Sequence, residues 1–520
     1  MQSEAARGRS SGDARVLMLA IDAMSLPFTR AHLDQLPTLK ALVEGGTLVE
    51  PESTGKYFSA SSWPTFASTK SIGEHGQYFP FQWDAAHLKQ RRLFDSAWRN
   101  EFVFEPFWYE FARAGISSTV LDIGFVQNDR AAPCRQVTNW SYQETAYADA
   151  SDPRLLAEIR RRFGRRPIGR EIPVPKSRAL CLKIRDHMIR AIERKADAIL
   201  WLMQRDEWRF FLAGFYELHR AGHNLWPISE SFASQSDADS LLQVYQALDR
   251  QIQRIFDYAR DEHTTVMVFA LHGMAANMAQ DHFLPKVMAK LNERYLAERG
   301  FGPGRTGHES LMSRLRKYVP YNLQYLTADI LGERVQDWVV NRAVIGGHDW
   351  SRTPAFHVSS GGEGYLRLNI KGREARGFFE PDSAELQHYV DWLEAALLKI
   401  RVGRTDQPLV KRVLRSKDLF PGPKSHFLPD LVLKWAPAEP AEHIWSEEIG
   451  DVHERLRTGR GGNHAGGSFV MVGGPGASSR ALHDLTHIKD IGMFARRCLE
   501  PIGRDFSRDA LKVSQLAHAD

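Results

Sequence analysis

Three short apolar runs constrain this chain most, because each has the length of a buried strand and each leads into a side chain able to bind metal. Thr264 to Ala270 (TTVMVFA) is β-branched and apolar, with no charge and no helical period. It stops on Leu271-His272-Gly273-Met274, which delivers an imidazole at its carboxyl end. Arg15 to Ile21 (RVLMLAI) ends on Asp22, and Arg209 to Phe215 (RFFLAGF) leads into Glu217-Leu218-His219-Arg220-Ala221-Gly222-His223. Such runs, alternating with helical stretches, predict an α/β fold with a mostly parallel sheet. In open α/β sheets the carboxyl ends of the strands are where ligands bind.

The remaining sequence is read in order around those runs. Residues 1–14 are polar and small, and are expected to form a disordered lead. Residues 15–126 alternate strand and helix, with a helix near Thr38 to Val43 and a strand near Ile116 to Leu121. Between 127 and 204 the pattern changes. Arg160-Arg161-Arg162, Arg165-Arg166 and Arg170 precede a long helical stretch from Ser177 to Met203. This segment reads as a helical, Arg-rich insertion or cap over the sheet. The arginines read as a solvated helix face, the alternative being a patch that attracts a phosphate-bearing substrate. Residues 205–345 resume the core, with a helix at Asp237 to Arg260 and a strand at Val339 to Ile345. Residues 346–436 are expected to form a smaller α+β lobe. Residues 437–520 complete the core through Gly461-Gly462-Asn463-His464, a strand at Ser468 to Val472 and a helix at Ile488 to Leu499.

Composition narrows the function. A formal net charge of +5 is small for 520 residues, so it does not argue for nucleic acid as a partner. No apolar run approaches the roughly 20 residues of a membrane span, and Val16 to Ile21 is too short for a signal-peptide core. Cys134, Cys181 and Cys498 are widely spaced and form no CxxC pair, which suggests neither a disulfide framework nor a thiolate metal site. The expectation is a cytoplasmic protein acting on a small molecule, with no membrane association.

Four strand ends thus carry metal-competent side chains: Asp22, His219 with His223, His272, and His464. His219 and His223 are four apart, so on a helix both face the same way. Neutral imidazole is a good zinc ligand, and three His with one open position is a known catalytic arrangement. Taken one at a time, each His is as readily a satisfied structural residue.

In this order the residues resemble the alkaline phosphatase superfamily, nearest its type I phosphodiesterase/nucleotide pyrophosphatase branch. The elements are Asp22, a Ser/Thr-rich turn ending Gly73-Glu74-His75-Gly76, Glu217 to His223, His272-Gly273-Met274, and His464 with Gly473-Gly474-Pro475-Gly476. The resemblance implies a three-layer α/β/α core and two zinc ions, though another divalent metal is possible. It further implies a Ser or Thr nucleophile that forms a covalent phospho-enzyme on a small phosphorylated substrate. It places metal ligands at Asp22, His223, His272 and His464. The nucleophile is Ser59 by its ungapped spacing to His75 and by the match of Ser59-Ala60-Ser61-Ser62-Trp63 to a Ser-Ala-Pro-x-Trp turn. Ser62, two residues before Pro64, is the alternative. Ser59 is then itself a metal ligand.

Two departures from the family pattern bear on the metal count. His219 stands where the family has an Asp, which keeps a ligand and loses a charge. Leu271 stands where the family has Asp before His-Gly-Met, and it cannot bind metal. The site lacks two carboxylates, and two dications a few ångströms apart would repel. The expectation is one secure zinc on His219, His223 and His464. A second position near Asp22, Ser59 and His272 is then weak, empty or completed by substrate. The alternatives are a degenerate member that binds a phosphorylated ligand without turnover, a phosphotransferase, and a sulfatase-like relative, the last opposed by Phe66 where sulfatase maturation needs Arg. Gly361 to Gly364 reads as a tight turn, Gln77 as a substitute for the family's substrate-contacting Asn, and the aromatic run Phe102 to Phe111 as core.

Overall fold

The apolar runs assemble into one eight-stranded sheet. Its order is Thr47–Val49, Phe469–Gly473, Thr264–Ala270, Arg15–Ile21, Phe210–Phe215, Ser118–Leu121, Arg135–Thr138, Asp149–Ala150. The computed structural model describes residues 13–500 except 96–98, 143–146, 170–174, 228–237, 303–340, 342–347, 438 and 457. The strand expected at Val339 to Ile345, the first twelve residues and Arg170 lie outside the described residues. Pairing is parallel through the middle of the sheet, where Leu19 sits opposite Ala213 on one side and Val268 on the other. The antiparallel pairs lie toward the edges. Helices cover the sheet, so the central strands are buried on both faces and read as unbroken apolar runs.

The segment 127–204 is not a separate cap. Arg135–Thr138 and Asp149–Ala150 extend the main sheet, and the helix Arg178–Arg205 packs against the helix Ala238–Ala259. The arginines misled because they mark only one face of the helix Pro153–Phe163. Its other face buries Leu155, Leu156 and Ile159 in the main core. On the solvent side Arg161, Arg162 and Arg205 meet Glu158. A solvated, ion-paired helix face is what the spacing predicts.

A second hydrophobic cluster gathers residues from Phe283 to Val452 around the helices Leu284–Glu298 and Ala384–Lys399. Its four-stranded antiparallel sheet has the order Ala355–His357, Gly364–Leu368, Leu431–Trp435, Val410–Arg415. A third cluster joins this sheet to the turn that carries Ser59. There Phe58, Tyr78 and Trp83 meet Phe356, Tyr365 and Val432. A two-stranded ribbon, Gly273–Ala276 against Gly462–Ala465, places His464 opposite Met274. His464 therefore arrives on a ribbon beyond the sheet, not on a sheet strand's own end.

Candidate active site

Each proposed ligand has a local reason for its position. Asp22 ends the first strand, and its N–H continues the ladder by donating to Phe215 O at 2.8 Å. The next strand, Phe210–Phe215, turns through Tyr216 into the helix Glu217–Leu225. That helix puts His219 and His223 one turn apart, with ring centroids 4.7 Å apart. Close packing of the helix against the ribbon needs Gly222, where a Cβ would lie 2.8 Å from Met274 Cγ.

The imidazoles converge. His223 Nε2 lies 2.9 Å and His464 Nε2 3.2 Å from His219 Nε2. His223 Nδ1–H donates to Gly462 O at 2.9 Å, and His219 Nδ1–H donates to Asp22 Oδ2. Those partners fix the tautomers with Nε2 lone pairs facing one another, the arrangement outer-shell groups give metal-binding histidines. Asp22 is fixed in turn by Trp63 Nε1–H, 3.0 Å from Oδ1, while His272 Nε2 lies 3.7 Å from the same oxygen. Two groups of metal-competent atoms result, His219 with His223 and His464, and Asp22 with His219 and His272. His219 belongs to both.

Electrostatics follow from burial. Desolvation alone would raise the Asp22 carboxyl, but His219 and His272, with the Trp63 hydrogen bond, hold it below the usual range. Desolvation pushes His223 and His464 well below the ordinary histidine value and His272 down to about 4. Burial thus favours neutral, ligand-competent imidazoles at His223, His272 and His464. Both ring nitrogens of His272 and Nδ1 of His464 are buried without a hydrogen-bond partner among the described residues. Buried polar atoms normally find one. Convergent neutral nitrogens and these orphaned atoms fit a bound divalent cation.

The three candidate serines separate clearly. Ser59 lines a cavity of about 230 Å³ together with Asp22, His219, His223, His272 and His464. Ser61 Oγ–H is engaged with Thr54 Oγ1 and Phe58 O, at 2.7 and 2.6 Å. Ser62 Oγ–H donates back to Ser59 O at 2.9 Å and packs on Gly55, where a Cβ would lie 2.8 Å away. Neither lines the cavity. Gln77 does not reach it either, since its amide donates to Phe102 O at 2.7 Å. His75 is structural, with Nε2 2.9 Å from Thr65 Oγ1 and Nδ1 accepting from Gln77 N–H at 3.0 Å. Leu271, 2% exposed, belongs to the main core, and its carbonyl accepts from Ser53 Oγ–H. The aromatic run is core, as Phe102, Phe107, Trp108, Tyr109 and Phe111 show.

Several residues at the site escaped the sequence. The turn at Ser360 and Gly361 lines the cavity, and the Glu363 carboxyl accepts from Gly361 N–H at 3.1 Å. Arg220, Arg460 and Tyr142 also line it. The available signals were an acid inside a Gly-rich turn and two arginines close in sequence to His219 and His464.

This geometry belongs to a known class. Residues 16–439 match the family model of type I phosphodiesterase / nucleotide pyrophosphatase. The chain belongs to that family and is a phosphoester hydrolase. Among solved structures it is similar to phosphonoacetate hydrolase from Sinorhizobium meliloti 1021 in complex with phosphonoformate. The identity is 14% and the TM-score 0.49, over 94% of this chain and 96% of that one. It is also similar to murine ectonucleotide pyrophosphatase / phosphodiesterase 5, at 11% identity and TM-score 0.47, over 95% and 98% of the two chains. No curated protein matches the chain. Among the described residues, no helix is long and apolar enough to cross a membrane.

Proposed function

We propose that the chain is a zinc-dependent hydrolase of phosphate esters, with Ser59 as nucleophile and a covalent phosphoseryl intermediate. One observation carries the reading. The Nε2 atoms of His219, His223 and His464 converge, two with their tautomers fixed, on the wall of the cavity that Ser59 also lines. An all-nitrogen donor set favours zinc over magnesium or calcium. When bound, the ion would polarise a phosphoryl oxygen and favour the Ser59 alkoxide.

The chain's own residues do the rest. Ser59 Oγ forms a bond to phosphorus while the ester P–O bond breaks, and the leaving group departs with a proton. Water then attacks phosphorus, the Ser59 Oγ–P bond breaks, and the hydroxyl regains its proton as the phosphate product leaves. Asp22 orients His219, and Trp63 orients Asp22. A neutral imidazole has one lone pair, so His219 serves one ion. We therefore favour one secure zinc on His219, His223 and His464. The position beside Asp22, Ser59 and His272 is then weak or completed by substrate.

Turnover of p-nitrophenyl phosphate mono- and diesters by zinc-loaded protein tests this. Ser59→Ala is expected to lose about 10³-fold or more in kcat, and Ser62→Ala less than about tenfold. Retained turnover in Ser59→Ala removes the nucleophile assignment. No turnover by wild type favours the ligand-binding alternative, for which Leu271 in the apolar core speaks.

A further inference from the structure

One part of the cavity wall has no share in the proposed chemistry, and the backbone behind it is strained. Phe125 and Tyr142, 3% and 2% exposed, line the cavity together with Asp22 and Ser59. Their rings meet edge to face with centroids 5.5 Å apart, and Tyr142 meets Tyr216 the same way at 4.4 Å. Phe125 has a φ of +60°, in the left-handed region that a bulky side chain rarely adopts. Asp122, just upstream, has a φ of +64°. Gly124 between them allows a close approach, because a Cβ there would lie 2.6 Å from Tyr142 Cε2. Such strain persists only where the surroundings fix it, and it gathers at ligand sites.

A buried ion pair supplies the fixing. Asp122 accepts from Ser141 N–H at 2.9 Å and from Ser141 Oγ–H at 2.7 Å, and it pairs with Lys195. Lys195 Nζ also donates to Gly214 O at 3.2 Å. All three side chains are fully buried. This clasp joins the two segments at Asp122 and Ser141, just ahead of Phe125 and Tyr142, and so holds both rings at the cavity. Gly124 N–H donates to Tyr216 OH at 2.7 Å, which secures the same loop to the residue ahead of the helix that carries His219.

What this wall can accept follows from its atoms. Phe125, Phe79, Phe81, Pro80 and Ala60 offer no side-chain hydrogen bond, and Tyr142 offers one hydroxyl. A sugar or polyol placed against them would leave hydroxyls without partners, whereas an aromatic ring gains by burial and by edge-to-face contact. The cavity, about 230 Å³, is smaller than the roughly 300–1,000 Å³ of sites that enclose drug-sized ligands, so a single ring is the group to place there.

We propose that Phe125 and Tyr142 form the subsite for the organic group of the ester, and that the substrate is the phosphate ester of a compact aromatic alcohol. For turnover the proposal rests on the phosphoester hydrolysis argued above; for binding it does not. The zinc-loaded wild type and the variants Phe125→Gly and Tyr142→Leu are compared by calorimetry, at a pH where both probes are dianions. The probes are phenylphosphonate and methylphosphonate, which differ only in the organic group. Hydrolysis of p-nitrophenyl phosphate is followed in parallel.

Wild type is expected to bind the phenyl probe roughly 10–100-fold more tightly than the methyl probe, the scale of burying one aromatic ring. Glycine suits the φ of Phe125, so Phe125→Gly removes the ring without adding strain. Each variant is expected to lose most of the preference, leaving the two probes within about threefold of each other. The ratio is taken within one protein, so a general fall in affinity cancels. Should one variant fail to melt cooperatively, the other carries the test. Wild type without phenyl preference, or variants that keep it, overturns the subsite. Phenyl preference without turnover overturns the hydrolase reading and leaves the subsite standing.

Discussion

Asp22→Asn is the most informative single change, because it separates a carboxylate that orients a ligand from one that binds metal. In the structure Asp22 uses one oxygen for His219 Nδ1–H and the other for Trp63 Nε1–H. Asparagine keeps one acceptor oxygen and turns the other into an NH2 donor. If that donor faces His219, the imidazole switches tautomer and places a proton on Nε2, where the lone pair is needed. Loss of such an outer-shell partner typically weakens metal binding by about 10–100-fold, or about 1.4–2.7 kcal/mol. The three-imidazole group itself needs little change. Tetrahedral zinc at 2.0–2.1 Å from each nitrogen sets the nitrogens roughly 3.3–3.4 Å apart. The observed 2.9 and 3.2 Å then require outward shifts of roughly 0.1–0.5 Å. Zinc content by elemental analysis and affinity by chelator competition are the assays. The expected result is one zinc per wild-type chain, one weaker zinc in Asp22→Asn, and none retained in His223→Ala. Two zincs per wild-type chain that survive dialysis, one of them lost in Asp22→Asn, would make Asp22 a true ligand and refute the reasoning.

Three further outcomes follow from the same structure. Leu271→Asp should cost about 2–5 kcal/mol in denaturant unfolding, since the side chain is buried in the main core, and zinc content should stay at one; a gain to two would show that only the missing acid limits the second position. Lys195→Met should cost about 3–5 kcal/mol, because it strands the fully buried Asp122, which Ser141 alone would still hold, and Asp122→Asn in the same chain should recover much of the loss; a cost under about 1 kcal/mol would mean the pair contributes nothing. His75 is buried and neutral, with desolvation pushing its pKa to about 3. Because folding depresses that pKa, the stability it contributes is complete above the unfolded value near 6.5 and declines as pH falls toward about 3, reaching about 2 kcal/mol lost at pH 5. Unfolding at pH 7 and 5 should therefore show a steeper loss in wild type than in His75→Asn at matched zinc, and equal slopes would sink the account.

How far the sequence carried the reading depended on the kind of signal involved. Buried parallel strands are unbroken apolar runs, so Arg15–Ile21, Phe210–Phe215 and Thr264–Ala270 were legible, and with them the sheet and the ends that carry Asp22, His219 and His272. Helical spacing put His219 and His223 on one face. The insertion was misread because its arginines dominate the pattern, while the four-residue strand that joins the sheet, Arg135–Thr138, is too short to show a period. Arg460, Ser360 and Tyr142 reach the cavity only through long-range packing, and no local pattern announces such contacts.

The two departures from the family pattern make sense together once the packing is known. Leu271 does not leave a gap where an acid should be; its side chain belongs to the core beneath the strand end, so the position has been given over to packing. His219, in the other lost acid's place, turns Nδ1 to Asp22 and Nε2 to His223 and His464. On the one-zinc reading proposed above, one substitution removes charge from the second position, and the other commits Asp22 to orienting the first. A site with fewer carboxylates has more of the charge of a bound cation left to neutralise. A lower metal count is therefore the expected consequence of this redistribution of charge, and restoring the acid at Leu271 alone is not expected to reverse it, because the strand end there is packed into the core and His219 still commits Asp22.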